Sequence, residues 1–223
     1  MFVKVCGIAR EDDALLAVAL GTDAVGFVFA PSPRQISVVQ ARDIARRLPP
    51  EVLTVGVFRD EVPKRVVAIC YDAGLRAAQL HGRETAEQTR WVRARVPVVI
   101  KAFAAGDPRL DHADDYGADA VMVDSHAPGS GEVFDWSLAE GAPIGRRVIL
   151  AGGLTPSNVA EAIERVRPWG VDVASGVESE AGRKDPMKLR DFIRAARAAE
   201  LTPYAGDEEH EPYNWEEDPA QWQ

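Results

Sequence analysis

Cysteine occurs only twice in the 223 residues, at Cys6 and Cys70. That is too few for a disulfide framework, and no CxxC or HxxxH spacing offers a metal-type cluster. Every apolar run is broken by a charge, a proline or a glycine well short of the roughly 20 residues a membrane span requires. No basic segment leads into an apolar one at the start of the chain, so no secretory signal is read there. These absences predict a cytoplasmic protein that engages no membrane and holds no metal. Lysine and arginine are absent from Ala205 to Gln223, where seven of the chain's 35 acids lie (Asp207, Glu208, Glu209, Glu211, Glu216, Glu217 and Asp218). Without those seven, 28 acids face 26 bases, so the net charge of -9 belongs mostly to the end of the chain. A near-neutral body with an acidic end argues against nucleic acid as a partner.

What is present is a repeated unit. Apolar runs begin at Phe2 ("FVKVCGI"), Asp23 ("DAVGFVFA"), Leu53 ("LTVGVF"), Ala77 ("AAQLHG"), Val96 ("VPVVIKAFA"), Asp119 ("DAVMVDS"), Arg147 ("RVILAGGL") and Gly170 ("GVDVASGV"). Near-continuous runs rich in Val, Ile and Phe suit parallel strands buried on both faces. Helix-period segments separate them, among them "EDDALLAVALG", "SVVQARDIARRLPP" with Ser37 as N-cap, "PKRVVAICYDAG" and "TPSNVAEAIERVRP" with Thr155 capping before Pro156. A final helix is read in "DPMKLRDFIRAARAAE", whereas the stretches after strands five and six carry little helical period. Eight β–α units predict an α/β fold of one domain, the (β/α)8 or TIM barrel, over residues 1–201. The competing open doubly wound sheet expects a GxGxxG turn after its first strand, and "CGIARED" has none. Residues 202–223 show neither period, and their charge predicts a disordered tail. Its aromatics (Tyr204, Tyr213, Trp215, Trp222) also leave docking on the barrel or on a partner open.

In such a barrel, ligands meet the carboxyl ends of the strands and the loops beyond them. Cys6, Arg34, His81, Asp124, the pair Gly152–Gly153 and the pair Ser175–Gly176 all fall there. The glycines following strands seven and eight make tight turns; two such turns together also suit a phosphate held by backbone N–H groups and helix dipoles. Asp124 ends an apolar strand, where partial desolvation raises a carboxyl toward the range a general acid needs, although capping a loop would also explain it. Cys6 is either a small apolar packer or, as thiolate, a proton acceptor. Cys70 lies on the apolar side of its helix and is read as packing. Arg34, following Pro31 and Pro33 in "PSPRQIS", has the fork geometry for a planar carboxylate but also suits a solvated surface. His81 is either a packed histidine or a contributor to the site. "HAPGSGE", after Asp124, has the composition of a lid.

In order along the chain, "KVCGI", "VGFVFAPSPRQIS", "VGVF", "QLHG", "VDSHAPGSGEVFDW", "LAGGLTPSNV" and "GVDVASGVESEAGRKD" resemble the phosphoribosylanthranilate isomerase family of tryptophan biosynthesis, over residues 2–199. The resemblance implies an Amadori rearrangement with Cys6 as general base and Asp124 as general acid. It assigns the anthranilate carboxylate to Arg34 and the phosphate to the Gly152–Gly153 and Ser175–Gly176 turns, and it places Asp172 as an acidic residue facing the site, with His81 beside the substrate. It implies a small phosphosugar–anthranilate substrate, no cofactor, and a monomer or homodimer. Two rivals remain at this point. A histidine-pathway barrel isomerase would show aspartates at strands one and five, where this chain has Cys6 and "KAFA". A catalytically silent binding protein would act through the tail.

Overall fold

The structure, a computed structural model, describes residues 1–125 and 147–199. The proposed lid at 126–132 and the tail at 202–223 lie outside the described residues. Eight parallel strands close into a barrel in sequence order: β1 (Phe2–Val5), β2 (Ala24–Val28), β3 (Leu53–Phe58), β4 (Ala77–Leu80), β5 (Val98–Ala104), β6 (Ala120–Asp124), β7 (Val148–Leu150) and β8 (Gly170–Val173). Closure comes from β8 pairing with β1, with Phe2 opposite Gly170 and Lys4 opposite Asp172. Every run read as a strand is one.

Helices cover the outside: α1 (Glu11–Ala19), α2 (Val38–Ala45), α3 (Pro63–Ala73), α4 (Ala86–Arg93), α5 (Val159–Val166) and α6 (Pro186–Ala198). Ser37 caps α2 in a reciprocal capping box with Gln40, satisfying N–H groups that the first turn leaves without partners. Gly74 ends α3 at φ 65°, a left-handed conformation that glycine adopts without strain. Two helical expectations shift. After β5 the chain forms a 3-10 stretch (Pro108–Tyr116) broken at His112 rather than an α-helix. And α5 starts at Val159, not after Thr155. There the Thr155 amide donates to the Asn158 side chain at 2.7 Å, and the Asn158 amide nitrogen donates to the Gly153 carbonyl at 3.0 Å. Pro156 therefore sits in a closed turn that delays the helix.

Period-two alternation divides the side chains between two cores. Outward residues such as Val3, Val5, Val25, Phe27, Val99, Val121 and Leu150 pack under the helices. Inward residues such as Phe2, Ala24, Leu53, Val55, Ile100, Met122 and Ile149 fill the lumen. On four strands the inward series turns polar toward the carboxyl end: Phe2, Lys4, Cys6; Ala77, Gln79, His81; Ala120, Met122, Asp124; Gly170, Asp172. The apolar floor thus supports a polar mouth, which is where the chemistry of this architecture is placed. No helix among the described residues is long and apolar enough to cross a membrane.

Candidate active site

Cys6 directly follows β1, and its amide still donates to the Val173 carbonyl at 2.8 Å, so the barrel's own hydrogen bonding fixes it. The residue is 7% exposed. Burial pushes its thiol up from the ordinary value, while the neighbouring Lys4 and Lys184 ammonium groups pull the other way. Cys70 stands apart on α3, where burial alone pushes its thiol up to about 12. One cysteine has cations beside it and the other has none working on it; only the first suits proton transfer.

Asp124 ends β6 and is buried. Its Oδ1 accepts the Ser125 amide at 2.7 Å, and its Oδ2 lies 3.1 Å from His81 Nε2. His81 follows β4, and its Nδ1 lies 2.7 Å from the Gln79 side-chain nitrogen. With the amide as donor, Nδ1 accepts and Nε2 carries the hydrogen toward Asp124. His81 is therefore a partner of Asp124. Gly152, at φ 87°, is required here twice over: a Cβ on it would stand 2.6 Å from the Ser125 nitrogen and 2.9 Å from Asp124 Oδ1.

Asp124, Asp172, Gly152, Gly153, Ser175 and Gly176 line one cleft that opens to solvent. Its two glycine turns touch. A Cβ on Gly176 would overlap the Leu154 carbonyl, so the turn after β8 packs backbone to backbone on the loop after β7. Cys6, Arg34 and His81 are not part of the cleft lining. They connect to it through other groups: His81 by Asp124, and Cys6 by Lys4, whose Nζ donates to Asp172 Oδ1 at 2.6 Å.

Arg34 lies over Gly7, next to Cys6, where a Cβ on Gly7 would meet its Cδ at 2.5 Å. Its Nε and Nη2 each donate at 2.8 Å to Glu178, and this hydrogen bonding raises its pKa further. Glu178 opens β9 (Glu178–Glu180), which forms a short antiparallel hairpin with β10 (Arg183–Lys184). Lys184 Nζ donates to Glu178 at 3.0 Å, to the Cys6 carbonyl at 2.7 Å and to the Ala174 carbonyl at 3.0 Å. Arg34 thus spends one edge of its fork on a protein carboxylate, leaving only the other edge for a ligand.

Sequence reasoning passed over Lys4, Gln79, Glu178 and Lys184. Lys4 had a visible signal: a lysine inside an apolar four-residue strand, two positions before Cys6 and so on the same face. Gln79 stood in the same relation to His81. Glu178 and Lys184 lay within "GVESEAGRKD" with nothing local to mark them, since their importance depends on a hairpin and a loop more than 140 residues away.

A closed parallel barrel whose acids, thiol and glycine turns collect at the carboxyl ends of its strands defines a (β/α)8-barrel enzyme. The sequence pattern of the N-(5'-phosphoribosyl)anthranilate (PRA) isomerase family matches residues 3–195. An N-(5'-phosphoribosyl)anthranilate isomerase of Desulforudis audaxviator is 52% identical over 204 residues, covering 88% of this chain and 98% of the relative. A phosphoribosyl anthranilate isomerase structure from Thermus thermophilus superposes with a TM-score of 0.83 at 45% identity, covering 90% of this chain and all of that one. A further isomerase structure, in complex with reduced 1-(o-carboxyphenylamino)-1-deoxyribulose 5-phosphate, superposes at 0.78 with 41% identity, covering 89% of this chain and 99% of that one. The chain belongs to the phosphoribosylanthranilate isomerase family.

Proposed function

We propose that this chain isomerises N-(5-phosphoribosyl)anthranilate to 1-(2-carboxyphenylamino)-1-deoxyribulose 5-phosphate with Cys6 as the base and Asp124 as the acid. The activity is that of its family in tryptophan biosynthesis. The observation that carries the residue roles is the placement of a cation-flanked thiol and a buried carboxyl group on different strands of one barrel mouth.

Asp124 gives its proton to the ribose ring oxygen as the C1–O bond breaks and the anthranilate nitrogen forms the iminium. Its carboxylate is then held by the His81 Nε2–H and the Ser125 amide. Cys6, as thiolate, takes the proton from C2, and the electron pair of that C–H bond becomes the C1–C2 double bond of the enolamine. Protonation at C1 and loss of the O2 proton give the ketose. The Gly152–Gly153 and Ser175–Gly176 turns hold the phosphate, in a cleft that Asp124 also lines. The free edge of Arg34 takes the anthranilate carboxylate, and Asp172 faces the sugar from the cleft wall.

The test is the loss of anthranilate-adduct fluorescence when the protein meets freshly made substrate, with and without a chelator. Decay unaffected by chelator and reduced roughly 10²–10⁴-fold or more in both Cys6→Ala and Asp124→Asn is expected. Near-normal turnover in either variant would overturn its assignment.

A further inference from the structure

We infer that Lys4 is a positioning residue for the Cys6 thiolate, donating to the sulfur while Asp172 holds the lysine in place and tempers its charge. The inference rests on the reading of Cys6 as the base.

Lys4 and Cys6 lie two positions apart and so share the inward face. Lys4 is fully buried, and an ammonium leaves water at a high cost unless it is paired. Asp172, directly opposite on β8, supplies the pairing at 2.6 Å. That one carboxylate uses one of three ammonium hydrogens. The other side of the pair faces sulfur. Gly26, on the neighbouring β2, leaves the space for it: a Cβ there would stand 2.9 Å from Cys6 Sγ and 3.2 Å from Lys4 Nζ, so both atoms border the same small volume.

The other cations near Cys6 are committed elsewhere. Lys184 directs three hydrogen bonds at Glu178 and the carbonyls of Cys6 and Ala174, which exhausts an ammonium. Arg34 holds Glu178. Lys4, Lys184 and Arg34 as cations and Asp172 as an anion act on the thiol, and a fifth charged group, Glu178, is paired with Arg34 and Lys184. They sum to one positive charge, and ionisation of Cys6 brings the cluster to neutrality. Burial drives the thiol up, and Lys4 opposes it most strongly.

The test titrates the thiolate by its ultraviolet absorbance and by alkylation rate, in a Cys70→Ala background so that one thiol is read. Lys4→Met is expected to move the midpoint up and slow alkylation at neutral pH roughly tenfold or more, one pH unit being a factor of ten in thiolate below the midpoint. Asp172→Asn is expected to move it down and speed alkylation, and Lys4→Arg to recover part of the loss. Opposite signs for the two partners are not what a merely structural role would give. An unmoved midpoint in folded Lys4→Met, or shifts of the same sign in both variants, would overturn the inference. Should Lys4→Met fail to fold, Lys4→Gln takes its place, with the same upward shift expected and an unmoved midpoint overturning the inference. Turnover of Cys6→Ala separates the two readings: an inactive Cys6→Ala beside an unmoved titration defeats only the role of Lys4, whereas an active one defeats the base.

Discussion

Arg34 and Glu178 meet as fork and carboxylate, two bonds of 2.8 Å joining residues that lie 144 positions apart. The bidentate geometry fixes the plane of the guanidinium. Lys184 fixes the carboxylate in turn and carries the same rigidity to the Cys6 carbonyl. The hairpin after β8 is thus the brace that aims Arg34 and steadies the backbone of the thiol.

Glu178→Gln should therefore act on binding more than on chemistry. A glutamine oxygen accepts from one nitrogen of the fork, and its own amide opposes the other. Losing a charge-assisted contact of about 1.5–3 kcal/mol should loosen Arg34 and raise KM roughly tenfold or more, with a smaller fall in kcat. Steady-state kinetics on Glu178→Gln and Arg34→Ala check this. A variant with wild-type KM would show that the fork needs no brace.

The same carboxylate makes the fold acid-sensitive. Burial works to raise the Glu178 pKa, but Arg34 and Lys184 outweigh it and hold the group below the ordinary carboxylate range. A depressed folded-state pKa contributes stability that is present above the unfolded value, about 4.3, and lost as pH falls through the folded one. Denaturant melts of the wild type should accordingly weaken below about pH 4.3, more steeply than those of Glu178→Gln, which starts less stable but has no proton to bind there. Parallel slopes would place the acid sensitivity in other carboxylates.

The barrel was legible because every strand but β4 is a short run carrying β-branched or aromatic residues, a signal that survives without tertiary context. Cys6, His81 and Asp124 were legible for a related reason: each is a polar residue ending an apolar run. The partners were harder to see. Lys4 reads as a break in the pattern of "FVKV", and its meaning appears only when β8 closes on β1 and puts Asp172 opposite. The start of α5 was misplaced because a Thr–Pro pair promises a helix, and only the Asn158 side chain reaching back to Gly153 shows a turn in its place.

Outside the site, Lys101 offers a test of the frame. Its Nζ is fully buried, with Glu84 at 2.8 Å and the carbonyls of Leu80, Gly82 and Ala102 within hydrogen-bond distance for its three hydrogens. Burial holds its pKa below the ordinary lysine value. Glu84 in turn accepts the amides of Asp60 and Gly82, so one ion pair ties the segments after β3 and β4 to the middle of β5. Lys101→Met leaves Glu84 buried without its cation and should cost about 3–5 kcal/mol, lowering Tm by roughly 2–4 °C for each kcal/mol. Thermal melts check it; an unchanged Tm would mean that the backbone amides alone satisfy Glu84.

Gly176→Ala separates packing from glycine's freedom of conformation. Gly176 is not among the glycines with positive φ, so alanine brings no dihedral strain. What it brings is a methyl group against the Leu154 carbonyl, where backbone meets backbone and neither side can swing away. The turns after β7 and β8 must separate, at an overpacking cost of about 1–3 kcal/mol. Because those turns form the cleft, the damage should appear in binding of the phosphate end: a KM raised roughly tenfold or more, and weaker inhibition by inorganic phosphate. The thiolate titration of Cys6 should stay where it is, since Lys4 and Asp172 remain paired below. A variant that is destabilised yet binds phosphate as tightly as the wild type would show that the two turns hold the fold and not the ligand.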